Sequence, residues 1–171
     1  DIHVGAQATL RKKFTVGDID AFARLSGDFN PLHVDDEFIS RTRFHRRVVH
    51  GILLAASVSS LVGMHLPGPG ALWLEQNFEF LAPVLVDDEV EFQLQVQHKS
   101  EATRTIVIHV ESKNQQGILV MKGQGKVMVL EEHKHPSSTS LSQESPFLKN
   151  RLALVTGASR GIGAAIASAL G

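Results

Sequence analysis

The sequence predicts an α+β fold in which a curved antiparallel sheet wraps one buried helix. Three observations predict it. The stretch HGILLAASVSSLVGMHL, residues 50–66, is of helix length and apolar on nearly every face, so it belongs in an interior. PGPG at 67–70 stops it. Four strand-like runs with turn residues between them come next, and a sheet closing round the helix buries both.

Taken in order, the opening segment alternates loosely through Ala8, Leu10 and Phe14, as a short strand does. In TVGDIDAFARLS, residues 15–26, Ile19, Phe22, Ala23 and Leu25 recur at helical spacing, and Gly27 reads as the stop. GDFNPLHVD, 27–35, is a loop, and DDEFISRTRF after it is a polar, short helical piece. Beyond the long helix, 72–81, 89–98, 105–112 and 118–130 read as strands. TIVIHVES is β-branched and alternating, and the last run opens with ILVM and closes with KVMVL. VDDE, KSEATR and KNQQG supply the turns. These elements make one domain over 1–130. Residues 131–149, EEHKHPSSTSLSQESPFLK, are Ser/Pro-rich without apolar periodicity and read as a linker. Residues 150–171 read as a strand, a glycine loop and the start of a helix, and there is no internal repeat.

The composition narrows the function classes. Seventeen basic against eighteen acidic residues give a net charge of −1, which offers no footprint for nucleic acid or an anionic membrane. The absence of cysteine excludes disulfides, thiolate metal sites and a cysteine nucleophile, and it fits a reducing compartment. No apolar run reaches the roughly 20 residues that span a bilayer. The expected location is the cytoplasm. The mitochondrial matrix is the alternative, because the chain starts at Asp1 rather than Met and a targeting peptide can precede it.

Asp28 and His33 stand five residues apart in the 27–35 loop. A carboxylate and an imidazole side by side can share one water, one taking a proton while the other gives one, and burial brings such a pair's proton affinities together. Pro31 pushes Asn30 out of the α region, so the loop is expected to be extended. On spacing alone, an Asx-rich turn with a satisfied surface histidine is the commoner reading. The second ingredient is the helix start at His50-Gly51. A buried helix N-terminus presents free N–H groups and a positive dipole end, and a glycine there lets an oxygen approach. Equally, Gly51 can relieve crowding and His50 can simply pack.

Taken together, SGDFNPLHVD, RVVHGILLAASVSSLVG and LPGPGALWLEQNFEFLAPVLVDDEV resemble the MaoC-type (R)-specific enoyl-thioester hydratases, which have the hotdog fold. More narrowly they resemble the hydroxyacyl-thioester dehydratases of fatty acid synthesis. The likeness runs over about residues 4–130, in the family's order and spacing. It implies that Asp28 and His33 are the catalytic pair and that the Gly51 backbone N–H binds the thioester carbonyl. Ser59, with Ser57 and Ser60 as neighbours, matches a hydroxyl that supports the pair. Asn30 matches the motif's asparagine, with loop bracing and substrate contact both open. Arg47 departs from the pattern: many relatives have proline there, and the change is expected to alter the approach to the helix rather than the chemistry. The resemblance further implies an acyl-CoA or acyl carrier protein thioester as substrate, a homodimer, and neither metal nor redox cofactor. A hotdog thioesterase, or a non-catalytic acyl-binding or dimerisation module, are the competing expectations. His133 with His135, Asp35 to Glu37 and Asp87 to Glu89 lack metal-ligand spacing, and the two acidic triplets read as solvated turns.

LVTGASRGIGAAIASALG places T-G-x-x-x-G-x-G between strand and helix patterns, so Gly157, Gly161 and Gly163 would admit a pyrophosphate at the helix start. This segment resembles the opening of a short-chain dehydrogenase/reductase, in which Arg160 points to NADP. That family needs a downstream tyrosine, and this chain has none. A truncated stub of a fused reductase, inactive in this chain, is the expectation.

Overall fold

The computed structural model describes residues 2–130. The expected linker, with His133 and His135, and the reductase-like segment, with Gly157, Arg160, Gly161 and Gly163, lie outside the described residues.

The order of elements is β1 (Gln7–Lys13), α1 (Val16–Ser26), α2 (Pro31–Val34), α3 (Asp36–Ser40), α4 (Gly51–Met64), β2 (Ala71–Phe80), β3 (Glu89–Ser100), β4 (Thr105–Asn114) and β5 (Leu119–Val129). The strands form one antiparallel sheet in the order β1-β3-β4-β5-β2. Strand alternation sends every second side chain of β3 and β4 to one face. Val90, Phe92, Leu94 and Val96, with Ile106, Ile108 and Val110, are buried there. Leu53, Leu54, Val58, Leu61 and Val62 of α4 join the same core, as does Phe14 from the end of β1. Each such apolar side chain contributes about 1.5–3 kcal/mol on leaving water, so this shared core is a main source of the fold's stability.

Helix α1 starts on a complete capping box. The Asp18 N–H donates to Thr15 Oγ1 at 3.2 Å, and the Thr15 N–H donates to Asp18 Oδ2 at 2.9 Å. Those bonds from Thr15, with Lys12 nearby, hold the Asp18 carboxyl below the usual aspartate range. At the other end Gly27 takes φ 79° and donates its N–H to Ala23 O at 2.8 Å. A residue with a Cβ is strained in that left-handed conformation. The turn this glycine permits carries the chain from α1 directly into Asp28.

Three expectations are corrected. First, α4 is not enclosed on every side: Ile52 and Met64 are 60% and 69% exposed, and Ala56, Ser59 and Ser60 are exposed with them. The sheet covers one side of the helix only. Second, the 27–35 segment is not extended throughout, because Pro31 opens the short helix α2. Proline lacks the N–H that a first helical residue leaves unused, so it can start a helix as readily as break one. Third, Asp88 is no solvated turn residue. It is 5% exposed; its carboxylate accepts the Leu85 N–H at 2.9 Å and the Gln115 Nε2–H at 2.9 Å. Asp35 likewise works structurally, as the α3 N-cap accepting the Phe38 N–H at 2.9 Å.

Candidate active site

Asp28 follows the α1 terminus. Its N–H donates to Ser26 Oγ at 3.2 Å, and its Oδ1 accepts the Asn30 N–H at 3.2 Å. Asn30, at φ −54° and ψ 130°, lies outside the helical region as its place before proline requires. Its Oδ1 caps α2 by accepting the Leu32 N–H at 3.0 Å. Of the two roles left open for Asn30, the bracing one has this bond behind it. His33 then sits on the last turn of α2, one face of which rests on the chain just before α4.

That chain fixes the His33 ring. His33 Nδ1 lies 2.6 Å from the Val48 carbonyl oxygen. A carbonyl can only accept, so Nδ1 carries the hydrogen and Nε2 is the nitrogen left to exchange a proton. His50, the residue before α4, stacks on His33 with ring centroids 3.7 Å apart, and Phe22 of α1 packs against it at 5.0 Å. His50 is only 2% exposed. Its Nε2–H donates to the Asp28 carbonyl oxygen at 3.0 Å, by the same logic. Its Nδ1 is then a bare lone pair, buried without a partner. One histidine therefore ties the Asp28 backbone to the start of α4 and supplies the surface on which His33 lies.

Donor atoms of Asp28, His33 and His50 fall within 4.8 Å of one another. At such a separation a single water can sit about 2.8 Å from both the Asp28 carboxylate and His33 Nε2. Carboxylate and imidazole also form a zinc-type donor set. Yet His50 Nε2, which stands 4.0 Å from Asp28 Oδ2, already holds its hydrogen toward the Asp28 carbonyl. Ligation there would move that hydrogen to Nδ1, where no acceptor meets it. The set suits a shared water better than a shared cation.

Helix α4 begins at Gly51, and His50 gives no side-chain cap. The Leu53 N–H donates to His50 O at 3.0 Å, and the Gly51 and Ile52 N–H groups before it keep their attraction for a negative oxygen. A Cβ at Gly51 would lie 3.1 Å from the Phe80 ring, so this glycine relieves crowding as well. Among the helix serines, Ser59 is exposed, whereas Ser57 is 5% exposed and its hydroxyl has no partner.

The structure thus gathers Asp28, His33, Asn30 and the α4 N-terminus at one end of the helix, and leaves Ser59 further along its open face. The pair is not a buried one: the Asp28 side chain is 52% exposed. His50 is the residue whose part was missed. The signal was present in HG at the start of the apolar run, but only three-dimensional contact separates a stacking, hydrogen-bonding histidine from one that fills space. Arg47, expected from the resemblance to depart from the family pattern, has its guanidinium paired with Asp20 and Asp36. Asp36 and Arg47 stabilise each other's charged forms through their hydrogen bonds, lowering the carboxyl and raising the guanidinium.

A family model described as MaoC like domain matches residues 3–117. The (R)-specific enoyl-CoA hydratase of Aeromonas caviae is 40% identical over 126 residues, which cover 74% of this chain and 94% of that protein. A solved structure described as an (R)-hydratase from A. caviae involved in PHA biosynthesis superposes with a TM-score of 0.73 at 40% identity, over 75% of this chain and 98% of that one. The unliganded R-hydratase PhaJ1 from Pseudomonas aeruginosa gives a TM-score of 0.74 at 33% identity, over 77% and 84% of the two chains.

Proposed function

Because the chain belongs to the MaoC-like domain family, we propose that it is a hydro-lyase adding water reversibly to trans-2-enoyl thioesters to give (R)-3-hydroxyacyl thioesters. The observation that carries this reading is the placement of the Asp28 carboxylate and a His33 ring whose Nδ1 is tied to Val48, so that Nε2 is free to act. The thioester carbonyl accepts the Gly51 N–H, which stabilises the negative charge growing on that oxygen. In hydration, Asp28 takes a proton from the shared water as its oxygen bonds to C3. His33, as imidazolium, delivers its Nε2 proton to C2. Asp28 returns its proton and His33 regains one through solvent, so H and OH are added and nothing else is consumed. Dehydration is the reverse. Each proton-transfer group contributes about 10²–10⁴-fold, so carbonyl polarisation supplies much of the remainder. Asn30 and His50 hold the pair, and the Ser59 hydroxyl on α4 supports it.

The carrier is coenzyme A or acyl carrier protein, and the working form is a homodimer. Support for the dimer comes from the uncovered α4 face and from the contrast between the sheet's two edges. The β1 edge carries Arg11, Lys12 and Lys13, a charged guard against pairing, while β2 presents Leu72 and Leu74, each 47% exposed. No helix among the described residues is long and apolar enough to cross a membrane; the cytoplasm or mitochondrial matrix is the proposed compartment. The 150–171 motif is the truncated start of a short-chain reductase, in which Gly157, Arg160, Gly161 and Gly163 are vestigial, and NADP would belong only to a reductase domain of the parent protein.

Turnover of crotonyl-CoA, followed by loss of the enoyl absorbance together with a free-thiol assay, tests the reading. Hydration without thiol release is expected, and Asp28→Asn or His33→Ala should each lower kcat by at least about 10²-fold while the fold persists. Full rates in both variants would overturn the assignment. Thiol release instead of hydration would point to a thioesterase, and no turnover at all to a binding module.

A further inference from the structure

Arg47 sits at a junction between α1, α3 and the chain leading into α4. The Arg47 side chain is only 15% exposed. Its Nε donates to Asp36 Oδ1 at 2.7 Å and its Nη2 to Asp36 Oδ2 at 2.8 Å, a two-point fork, while Nη1 donates to Asp20 Oδ1 at 3.1 Å. Asp20 lies on α1 and Asp36 opens α3, so one guanidinium joins the helices on either side of the 27–35 segment. The adjoining main chain holds the middle of that segment. The Val48 N–H donates to Leu32 O at 3.0 Å, and Val48 O accepts from His33. On its other side the same stretch is anchored to the body of the domain, through Val86 N–H to Arg47 O and Val49 N–H to Val84 O, each at 2.8 Å.

We propose that Arg47 is a positioning residue: its clamp on Asp20 and Asp36 sets the distance between the two ends of the 27–35 segment, and so the separation of Asp28 from His33. The inference rests on the hydratase reading of that pair. Magnitudes separate positioning from simple stabilisation. Asp36 is 77% exposed, so the ion pair is screened by solvent and adds little to stability. A misplacement of about 1 Å between reacting groups can cost about 10²-fold in rate. The clamp therefore acts chiefly on kcat. Substrate binding at the α4 N-terminus does not pass through it. Lysine would keep the charge but lose the fork.

The test measures kcat and KM for crotonyl-CoA hydration, with thermal unfolding, on the full chain and on Arg47→Gln, Arg47→Lys, Asp36→Asn and the Arg47→Gln/Asp36→Asn double variant. Arg47→Gln is expected to lose about 10–100-fold in kcat with KM changed less than about two-fold. Arg47→Lys should fall between it and the parent, and the double variant should be no worse than Arg47→Gln, since both break one clamp. If the parent chain hydrates and the variants keep its kcat while folded, the clamp is overturned and the hydratase reading stands. A rate loss that only tracks the loss of folded protein would overturn it too. Should Arg47→Gln fail to fold, Arg47→Lys and Asp36→Asn decide by the same criteria. A parent chain without hydratase activity would defeat the underlying reading instead.

Discussion

His33 is useful to the proposed reaction because only one of its nitrogens is free to exchange a proton. The Val48 carbonyl decides which one, and His50 decides where the ring lies. His50→Phe should keep the stacking surface and delete the hydrogen bond to the Asp28 carbonyl. The expected outcome is a loss of about 1 kcal/mol in denaturant stability and a fall of about ten-fold in kcat, read in the same variant by unfolding and by hydration kinetics. Gly51→Ala probes the opposite partner, because the added methyl would press on the Phe80 ring at 3.1 Å beside the amide proposed to bind the carbonyl. Its rate should drop about 10²-fold with the fold retained. Of these residues, Asp28, His33 and Gly51 were singled out in sequence, because together with the long helix their types and order resemble a family motif. The role of His50 was not, because it depends on a 3.7 Å stack between residues seventeen positions apart.

At the scale of elements, the site is held by how α1 ends and α2 begins. The Thr15 capping box fixes the far end of α1, and Thr15→Ala is expected to cost about 1 kcal/mol in chemical denaturation. The Asp18 carboxyl of that box is lowered in the folded chain, chiefly by the Thr15 backbone bond. A group depressed on folding stabilises above its unfolded pKa and ceases to do so as pH falls through its folded value. Unfolding followed from pH 6 downward should therefore show stability declining below about pH 4, and Asp18→Asn should flatten that decline. Sequence patterning placed the five strands and the two longer helices to within a few residues, because periodicity and breakers mark them directly. It missed α2, whose four residues are too few to show a period and whose proline serves equally as a breaker or a first helical residue.

For the whole molecule, the one-sided cover of α4 is the informative feature. A helix composed for an interior but exposed at Ile52 and Met64 is completed, in the proposed account, by a second copy across the β2 edge. Light scattering should give twice the chain mass at micromolar concentration, and Leu72→Lys with Leu74→Lys should shift it toward the monomer and lower activity together. The sequence showed that the helix is apolar all round. Which part of its surface the chain's own sheet covers depends on strand order and register, which no local pattern carries.

The most direct test of the central claim is the product formed from a trans-2-enoyl-CoA in D2O, analysed by NMR and chiral chromatography. The expected product is an (R)-3-hydroxyacyl-CoA with one deuterium at C2 and the thioester intact. An unchanged enoyl thioester, an (S) product, or a free acid with released thiol would contradict that claim.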